Sequence, residues 1–248
     1  MSASIVVIQF RRNPFYKQHE AECITRAVQE YANVSFIDAL DVMLTWDNPL
    51  LLLGTHNGII MGGSGDFDFD GGRVADDPDR QMSYELLERL RTLFAHIFTH
   101  DIPTFGICYG HQLIGAFAGA EVRYDKAQRK SRSHEVRFLV SAHEHFLFAG
   151  LPTHFHAYYG HKDSLDRVPE GATLVLEGGE ACQVSALQYK NNIFTTQFHP
   201  ELTFTDMVER IKNLPGYLPE GAAVEDLFKE GSQATRILEN FAQFVAKE

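Results

Sequence analysis

A cysteine between two glycines, Gly106-Ile107-Cys108-Tyr109-Gly110, and a histidine and a glutamate two residues apart, His199-Pro200-Glu201, are the groups whose types and spacing could do covalent chemistry. Thr104 to Ile107 reads as a short strand and Tyr109 to Phe117 as a helix that Gly119 can end, so G-x-C-x-G falls on a strand-to-helix turn. This is the thiol form of a nucleophile elbow, in which flanking glycines allow a sharp turn that lifts the nucleophile and lets substrate approach the backbone. The positive end of the following helix and a nearby imidazolium would both favour a thiolate. Acyl transfer from a thiolate also needs a group that protonates the leaving amine and later deprotonates water. Among twelve histidines, His199 is expected to do this. It follows the strand Ile193 to Phe198, and Pro200 keeps the chain extended, so His199 and Glu201 lie on one side of the backbone. Glu201 can then orient and charge-stabilise the ring, completing a Cys108, His199, Glu201 triad. His111 is close to the elbow in sequence, but its spacing on the helix points it elsewhere, and it reads as structural.

Other clusters are weaker candidates. Asp66-Phe67-Asp68-Phe69-Asp70-Gly71 begins like a calcium loop, with Asp77 at the twelfth position, but no flanking helix pair is expected and Asp77 is shorter than the usual bidentate Glu. An acidic lid, solvated and with Phe67 and Phe69 packed beneath it, is the preferred reading. His143-Glu144-His145 and His154-x-His156 resemble metal pairs but sit on strand-like segments without a partnering cysteine. Cys23 and Cys182 lack any activating context. Three cysteines without CxxC spacing suggest neither a disulfide framework nor a zinc knuckle, and no metal or cofactor is expected.

The elements that must position the triad alternate in the first half. Ser4 to Phe10, Asn33 to Ile37, Asn57 to Met61 and Thr104 to Ile107 read as strands, Tyr16 to Tyr31 as a helix, and Asp79 to His100 as one amphipathic helix with Met82, Leu86, Leu90, Leu93 and Ile97 on its inner stripe. Such alternation implies βαβ units and a parallel sheet. The third strand runs into Gly62-Gly63-Ser64-Gly65, which would bring backbone to a ligand or a tight turn. The second half is β-rich: Val136 to Val140, Phe155 to Tyr158, Thr173 to Leu176, Ser185 to Tyr189 and Ile193 to Phe198, with Lys190-Asn191-Asn192 as a hairpin turn. From about residue 204 to 248 the pattern is helical, with Ile237, Leu238, Phe241 and Phe244 facing the body. One α/β domain over 1–248 is the simplest organisation. A net charge of -11 argues against nucleic acid as a partner, because that role needs a basic footprint. Ile5 to Phe10 is too short to span a membrane, and its arginines follow it instead of preceding it as in a signal peptide. A cytoplasmic protein is expected.

FGICYGHQ at Phe105 to Gln112, QFHPE at Gln197 to Glu201 and the glycine cluster at Gly62 to Gly65 together resemble the class I, or triad, glutamine amidotransferases, in order and approximate spacing over residues 4 to 201. The closing helices look like those of stand-alone members similar to the amidotransferase half of GMP synthase. The resemblance implies a three-layer, flavodoxin-like fold with a mostly parallel central sheet. It implies that Cys108 attacks the γ-amide of glutamine, forms a γ-glutamyl thioester and releases ammonia. Backbone N–H groups of Gly63 and Tyr109 would form the oxyanion hole, each donor worth roughly 3 kcal/mol. Gln112 and the segment His161, Lys162, Asp163 would hold the substrate. Ser64 replaces the proline common in the family's GGPG, and Lys162 replaces a glycine, which alters the oxyanion loop and the substrate contacts but not the triad. No GxxxxGK[ST] phosphate loop is present, so ammonia would go to a separately encoded synthetase. A stand-alone γ-glutamyl peptidase or γ-glutamyl-amine hydrolase, and a non-catalytic binding protein on the same scaffold, are the alternatives.

Overall fold

The structure is a computed structural model that describes residues 3–128, 130–139, 145–179, 182–213 and 223–247. The first half runs β1 (Ala3–Gln9), α1 (Pro14–Val28), β2 (Ala32–Asp38), α2 (Pro49–Leu53), β3 (Gly58–Met61), α3 (Pro78–Arg89), α4 (Arg91–His100), β4 (Thr104–Ile107) and α5 (Tyr109–Phe117). The second half continues with β5 (Val122–Tyr124), β6 (Lys130–Phe138), β7 (His154–His161), β8 (Asp163–Leu165), β9 (Ala172–Glu177), β10 (Ala186–Tyr189) and β11 (Ile193–Thr196). Three helices close the chain: α6 (Phe204–Lys212), α7 (Val224–Leu227) and α8 (Thr235–Val245).

Among the described residues, nine strands form one sheet in the order β2-β1-β3-β4-β11-β10-β9-β6-β7. β2, β1, β3, β4 and β11 are parallel, and the strands from β11 outward to β7 are antiparallel. The expected mostly parallel sheet with a β-rich second half is therefore present. Residues on β1 show why it forms the centre: Ile5 and Val7 enter the core on one face, Val6 and Ile8 the core on the other, as a period of two requires. α1 and α8 cover the first face through Ile24, Val28, Ile237, Leu238 and Phe241. Leu86, Leu93, Phe94 and Ile97 of α3 and α4, with Leu113 and Ile114 of α5, cover the second. Phe244 is partly buried and stacks on Phe146, their ring centroids 4.6 Å apart.

Several boundaries differ from the sequence expectation. The helix expected over Asp79 to His100 is two helices meeting at Leu90, a turn residue with φ -88° and ψ 0°. Periodicity could not reveal this break, because Leu86, Leu90, Leu93 and Ile97 all remain buried across it. β6 begins at Lys130 and ends at Phe138, whereas Val140 lies outside the described residues. β5 and β8 pair in a separate two-stranded sheet; at three residues each they are too short to carry a periodic signal. In the β10–β11 turn the left-handed position, φ 50°, falls on Lys190 and not on an asparagine. Asn191 and Asn192 instead donate backbone N–H groups to the Asp101 carboxylate. Helix starts follow local chemistry, since Asn13, Asn48 and Asp77 each cap a helix whose first residue is proline.

The two elbow glycines have separate steric reasons. A Cβ on Gly106 would lie 3.0 Å from the Gly110 backbone, and one on Gly110 would collide with the Met61 carbonyl oxygen. Gly110→Ala should therefore destabilise the fold by about 1–3 kcal/mol, although an alanine elsewhere in a helix gains about 1 kcal/mol over glycine. Urea unfolding of the variant checks the sign; a midpoint equal to or above the parent's would show that β3 and α5 are not packed this closely.

Candidate active site

The carboxyl ends of four parallel strands, where open α/β sheets place their ligands, converge on one spot. β4 delivers Cys108, β3 delivers Gly62 and Gly63, β11 leads to His199, and β1 leads to Arg11. Backbone hydrogen bonds tie these ends together: Gly62 N–H to Ile8 O at 2.9 Å, Gly110 N–H to Gly62 O at 3.1 Å, and Cys108 N–H to Thr196 O at 2.7 Å. Cys108 takes φ 51° and ψ -93°, a conformation that few non-glycine residues adopt and that strains the turn to lift the side chain. Tyr109 follows as the first residue of α5, so its N–H has no intrahelical acceptor. Its ring is buried against Phe10, Phe67 and Phe69, which anchors that end of the helix.

His199 and Glu201 are both buried, and the carboxylate Oε1 accepts from His199 Nδ1 at 2.8 Å. That bond leaves Nε2 unclaimed by Glu201, and Cys108 lies near enough for its charge to act on the ring. Burial by itself would make the imidazole less basic, but the Glu201 carboxylate and Cys108 outweigh it and raise the pKa to about 9. Burial likewise opposes charge on Glu201, yet His199 and then Arg210, 3.5 Å away, bring its pKa down to about 2. The stabilisation that His199 gains from the pair is complete below the ordinary histidine value of 6.5 and is lost as pH rises through about 9. The stabilisation from Glu201 is complete above 4.5 and is lost as pH falls through about 2. A cation held beside a thiol is the condition that favours a reactive thiolate.

Around Cys108, His199 and Glu201, the structure departs from the sequence expectation at the glycine loop. The Gly63 N–H does not aim at the Cys108 side; it donates to Glu20 Oε1 at 2.9 Å. Glu20, on α1, is fully buried and also accepts from Arg11 Nε at 2.9 Å and Gln9 Nε2 at 3.4 Å. A buried carboxylate demands donors, and the turn from strand to glycine loop supplies one. Gln112, expected to hold the substrate, is engaged in a chain of amides that leads to the thiol: its Nε2 donates to Asp163 O at 2.7 Å and to Gln197 Oε1 at 3.2 Å, while Gln197 Nε2 lies 3.5 Å from Cys108 Sγ.

Cys108, Gln112, His161, Lys162 and Asp163 line one small cavity of about 20 Å³. The Asp163 carboxylate is not turned to that space. It accepts from the N–H groups of Asp70 and Gly71 at 2.8 and 2.7 Å and so anchors the acidic loop. Lys162 Nζ binds Asp68 at 2.8 Å across the same loop. Phe67 and Phe69 pack underneath as expected, but the aspartates are not merely solvated. Asp68 pairs with Arg73 and Lys162, and Asp77 with Arg73.

Arg11, Glu20 and Arg210 join the site without any signal in the sequence that singles them out, whereas Gln197 opens the QFHPE motif. Glu20 and Arg210 sit on helical segments whose patterns mark only burial, and no motif shows that they meet a distant strand end. Of the other candidates, His111 is buried with Nδ1 2.8 Å from Thr195 Oγ1, and burial lowers its pKa to about 3. It is a neutral structural group. Burial pushes the Cys23 thiol up to about 12, and Cys182 is also buried and forms no disulfide. His154 pairs with Glu135 on the surface, while His143 and Glu144 lie outside the described residues. His19, Cys23 and Asp206 cluster within reach of one ion, but Asp206 is ion-paired with Arg26, and Arg210 Nη2 lies 3.5 Å from His19 Nδ1. These cations repel a metal.

A family model described as glutamine amidotransferase class-I matches residues 56–213, more than half of the chain. The glutamine-hydrolysing GMP synthase subunit of Methanocaldococcus jannaschii is 36% identical over 121 residues, which are 48% of this chain and 62% of that protein. Its counterpart from Methanopyrus kandleri is 31% identical over 137 residues, 54% and 67% of the two chains. The match to the glutamine-hydrolysing GMP synthase of Thermosipho melanesiensis is 36% over 113 residues and spans 21% of that protein. The chain thus spans under two thirds of the first of these relatives and about a fifth of the last. Among solved structures, a glutamine amidotransferase from Thermotoga maritima superposes with a TM-score of 0.72 at 18% identity over the whole of both chains. One from Methylobacillus flagellatus gives 0.62 at 17% identity, covering 93% of that chain. At these identities the likeness is one of fold.

The buried pair makes a direct spectroscopic prediction. Ring resonances of His199 should titrate near pH 9, and Glu201→Gln should lower that midpoint by about one unit or more. A midpoint that does not move would show that another group charges the ring.

Proposed function

Because the chain belongs to the class I glutamine amidotransferase family, we propose that it hydrolyses the γ-amide of glutamine through Cys108, His199 and Glu201 and passes the ammonia to a synthetase on a separate chain. The observation that carries this reading is the buried His199–Glu201 pair held against a strained thiol at the strand ends. Cys108 Sγ attacks the amide carbon, and the carbonyl oxygen becomes an oxyanion facing the α5 N-terminus, where the Tyr109 N–H is unclaimed within its helix. Gly63 can add its N–H once the peptide turns away from Glu20. As the C–N bond breaks, His199 Nε2 gives its proton to the departing nitrogen, and ammonia leaves a γ-glutamyl thioester. Water then attacks that carbon, returns a proton to His199, breaks the C–S bond and frees glutamate. Glu201 stays charged throughout and keeps the ring oriented.

Two of the relatives are named as one subunit of a GMP synthase, which supports a partner chain that uses the ammonia. The stowed Gly63 N–H supports a resting state that is slow until such a partner docks. No helix among the described residues is long and apolar enough to cross a membrane, and a free catalytic thiol suits the cytoplasm.

Purified chain should release glutamate from glutamine slowly, and a separately encoded synthetase should accelerate it. Cys108→Ala and Cys108→Ser should abolish turnover with the fold retained. His199→Ala should leave almost no activity, whereas Glu201→Gln should leave a reduced, measurable rate. A diazo-ketone mimic of glutamine should form its adduct at Cys108. Mass mapping of that adduct to Cys23 or Cys182 would defeat the assignment.

A further inference from the structure

A second cavity of about 200 Å³ lies against the other side of the triad and shares Ser64, Gly65 and Gly160 with the small one that contains Cys108. One water needs only about 10–15 Å³ of such space, so this volume admits an organic group. His199 lines it and Cys108 does not. The geometry of proton transfer gives the cavity its meaning. His199 must protonate the departing nitrogen, so that nitrogen faces the imidazole, and any substituent it carries extends past the ring, over the Ser64–Gly65 and Gly160 neck, into the larger space. Ammonia would leave that space unused.

The walls are chemically selective. Arg11 and Arg210 both line the cavity, and both side chains are more than nine-tenths buried. Arg210 Nε is buried and has no hydrogen-bond partner among the described residues, while its contacts to Glu201 and His19 are long, at 3.5 Å each. Arg11 uses Nε on Glu20, and its Nη2 lies beside the glycine loop, 3.0 Å from where a Cβ on Gly63 would stand. Two buried guanidinium groups on one wall favour an anion in the space between them, and a carboxylate is the anion whose planar geometry matches a guanidinium fork. Tyr16, Met207 and Ile211 supply an apolar lining. Asp66 is the one acidic residue on the lining, and its Oδ2 already accepts the Arg12 N–H at 2.9 Å.

We propose that this cavity is a leaving-group subsite for γ-glutamyl amides whose amine carries a carboxylate, that is, γ-glutamyl amino acids. The proposal rests on the reading that Cys108 and His199 cleave γ-glutamyl amides, and it widens the leaving group from ammonia to an amino acid. The bonds made and broken are those of glutamine hydrolysis: the thioester forms, the C–N bond breaks, the amino acid departs with the proton of His199, and water frees glutamate.

The test compares glutamine, γ-glutamylalanine and γ-glutamylethylamide, the last with a neutral leaving amine of similar size, on the full chain. Glutamate release from γ-glutamylalanine should proceed with kcat/KM about tenfold or more above that from γ-glutamylethylamide. Met207→Phe, which narrows the cavity, should lower the ratio of the γ-glutamylalanine value to the glutamine value by about tenfold. Because a larger ring can also disturb packing, calorimetry on Cys108→Ala gives a reading independent of turnover: γ-glutamylalanine should bind about tenfold more tightly than γ-glutamylethylamide. Glutamine cleavage without any preference for the dipeptide, in rate or in binding, overturns the subsite and leaves the glutaminase reading standing. Selective dipeptide binding to Cys108→Ala with no turnover of any amide by the parent chain supports the subsite and sinks the catalytic reading instead.

Discussion

Two carboxylates with no access to water, Glu20 and Glu201, set the terms for the whole catalytic end of the sheet. Removing a carboxylate from solvent is expensive unless cations and N–H donors surround it. Glu20 draws in Arg11 from the end of β1, Gln9 from β1 itself and the Gly63 backbone from the end of β3. Glu201 draws in His199 and, from α6, Arg210. The two arginines face one cavity, so the clusters are neighbours, and each holds a helix against strand ends that would otherwise be open. Taking one member from such a pair typically costs about 3–5 kcal/mol, because the partner stays behind as an uncompensated buried charge. Stability and protonation state are therefore set by the same few atoms.

The helices in turn depend on short-range signals. α6 begins with a reciprocal capping box between Thr203 and Asp206, and Asp206 also pairs with Arg26 of α1. That pairing sets two helices side by side and carries Arg210, one turn further along α6, to the triad. Thr203 is only two residues beyond Glu201, so the phase of α6 is coupled tightly to the position of the carboxylate.

How much of this can be read from the chain depends on the range of the interaction. The elbow is legible because its constraints are local: Gly106, Cys108 and Gly110 occupy one turn, and Pro200 fixes the relation of His199 to Glu201. β4 and α5 have the boundaries expected from sequence for the same reason. The break at Leu90 is illegible because one that keeps its apolar residues buried leaves hydrophobic periodicity intact. Glu20 and Arg210 are illegible because a charged residue in an amphipathic helix usually faces solvent, and only the tertiary packing shows that these two do not. Asp163 stands in the motif where a substrate contact is expected, yet its carboxylate serves the backbone of a loop about ninety residues earlier in the chain.

The slot that contains Cys108 has room for little more than one water, and the thiol itself is only 2% exposed. Reactive cysteines are lost to peroxide by way of sulfenic acid, and their susceptibility follows thiolate character and access together. A neighbouring cation favours attack on substrates and on oxidants alike, and the burial of Cys108 limits both. Asp68, Lys162 and Asp163 line the same slot, where the Lys162–Asp68 bridge and the Asp163 hydrogen bonds to the acidic loop hold its wall together. On the proposed function, an oxidant and a substrate would have to reach the same buried thiol through the same narrow slot, so one constraint would govern both encounters.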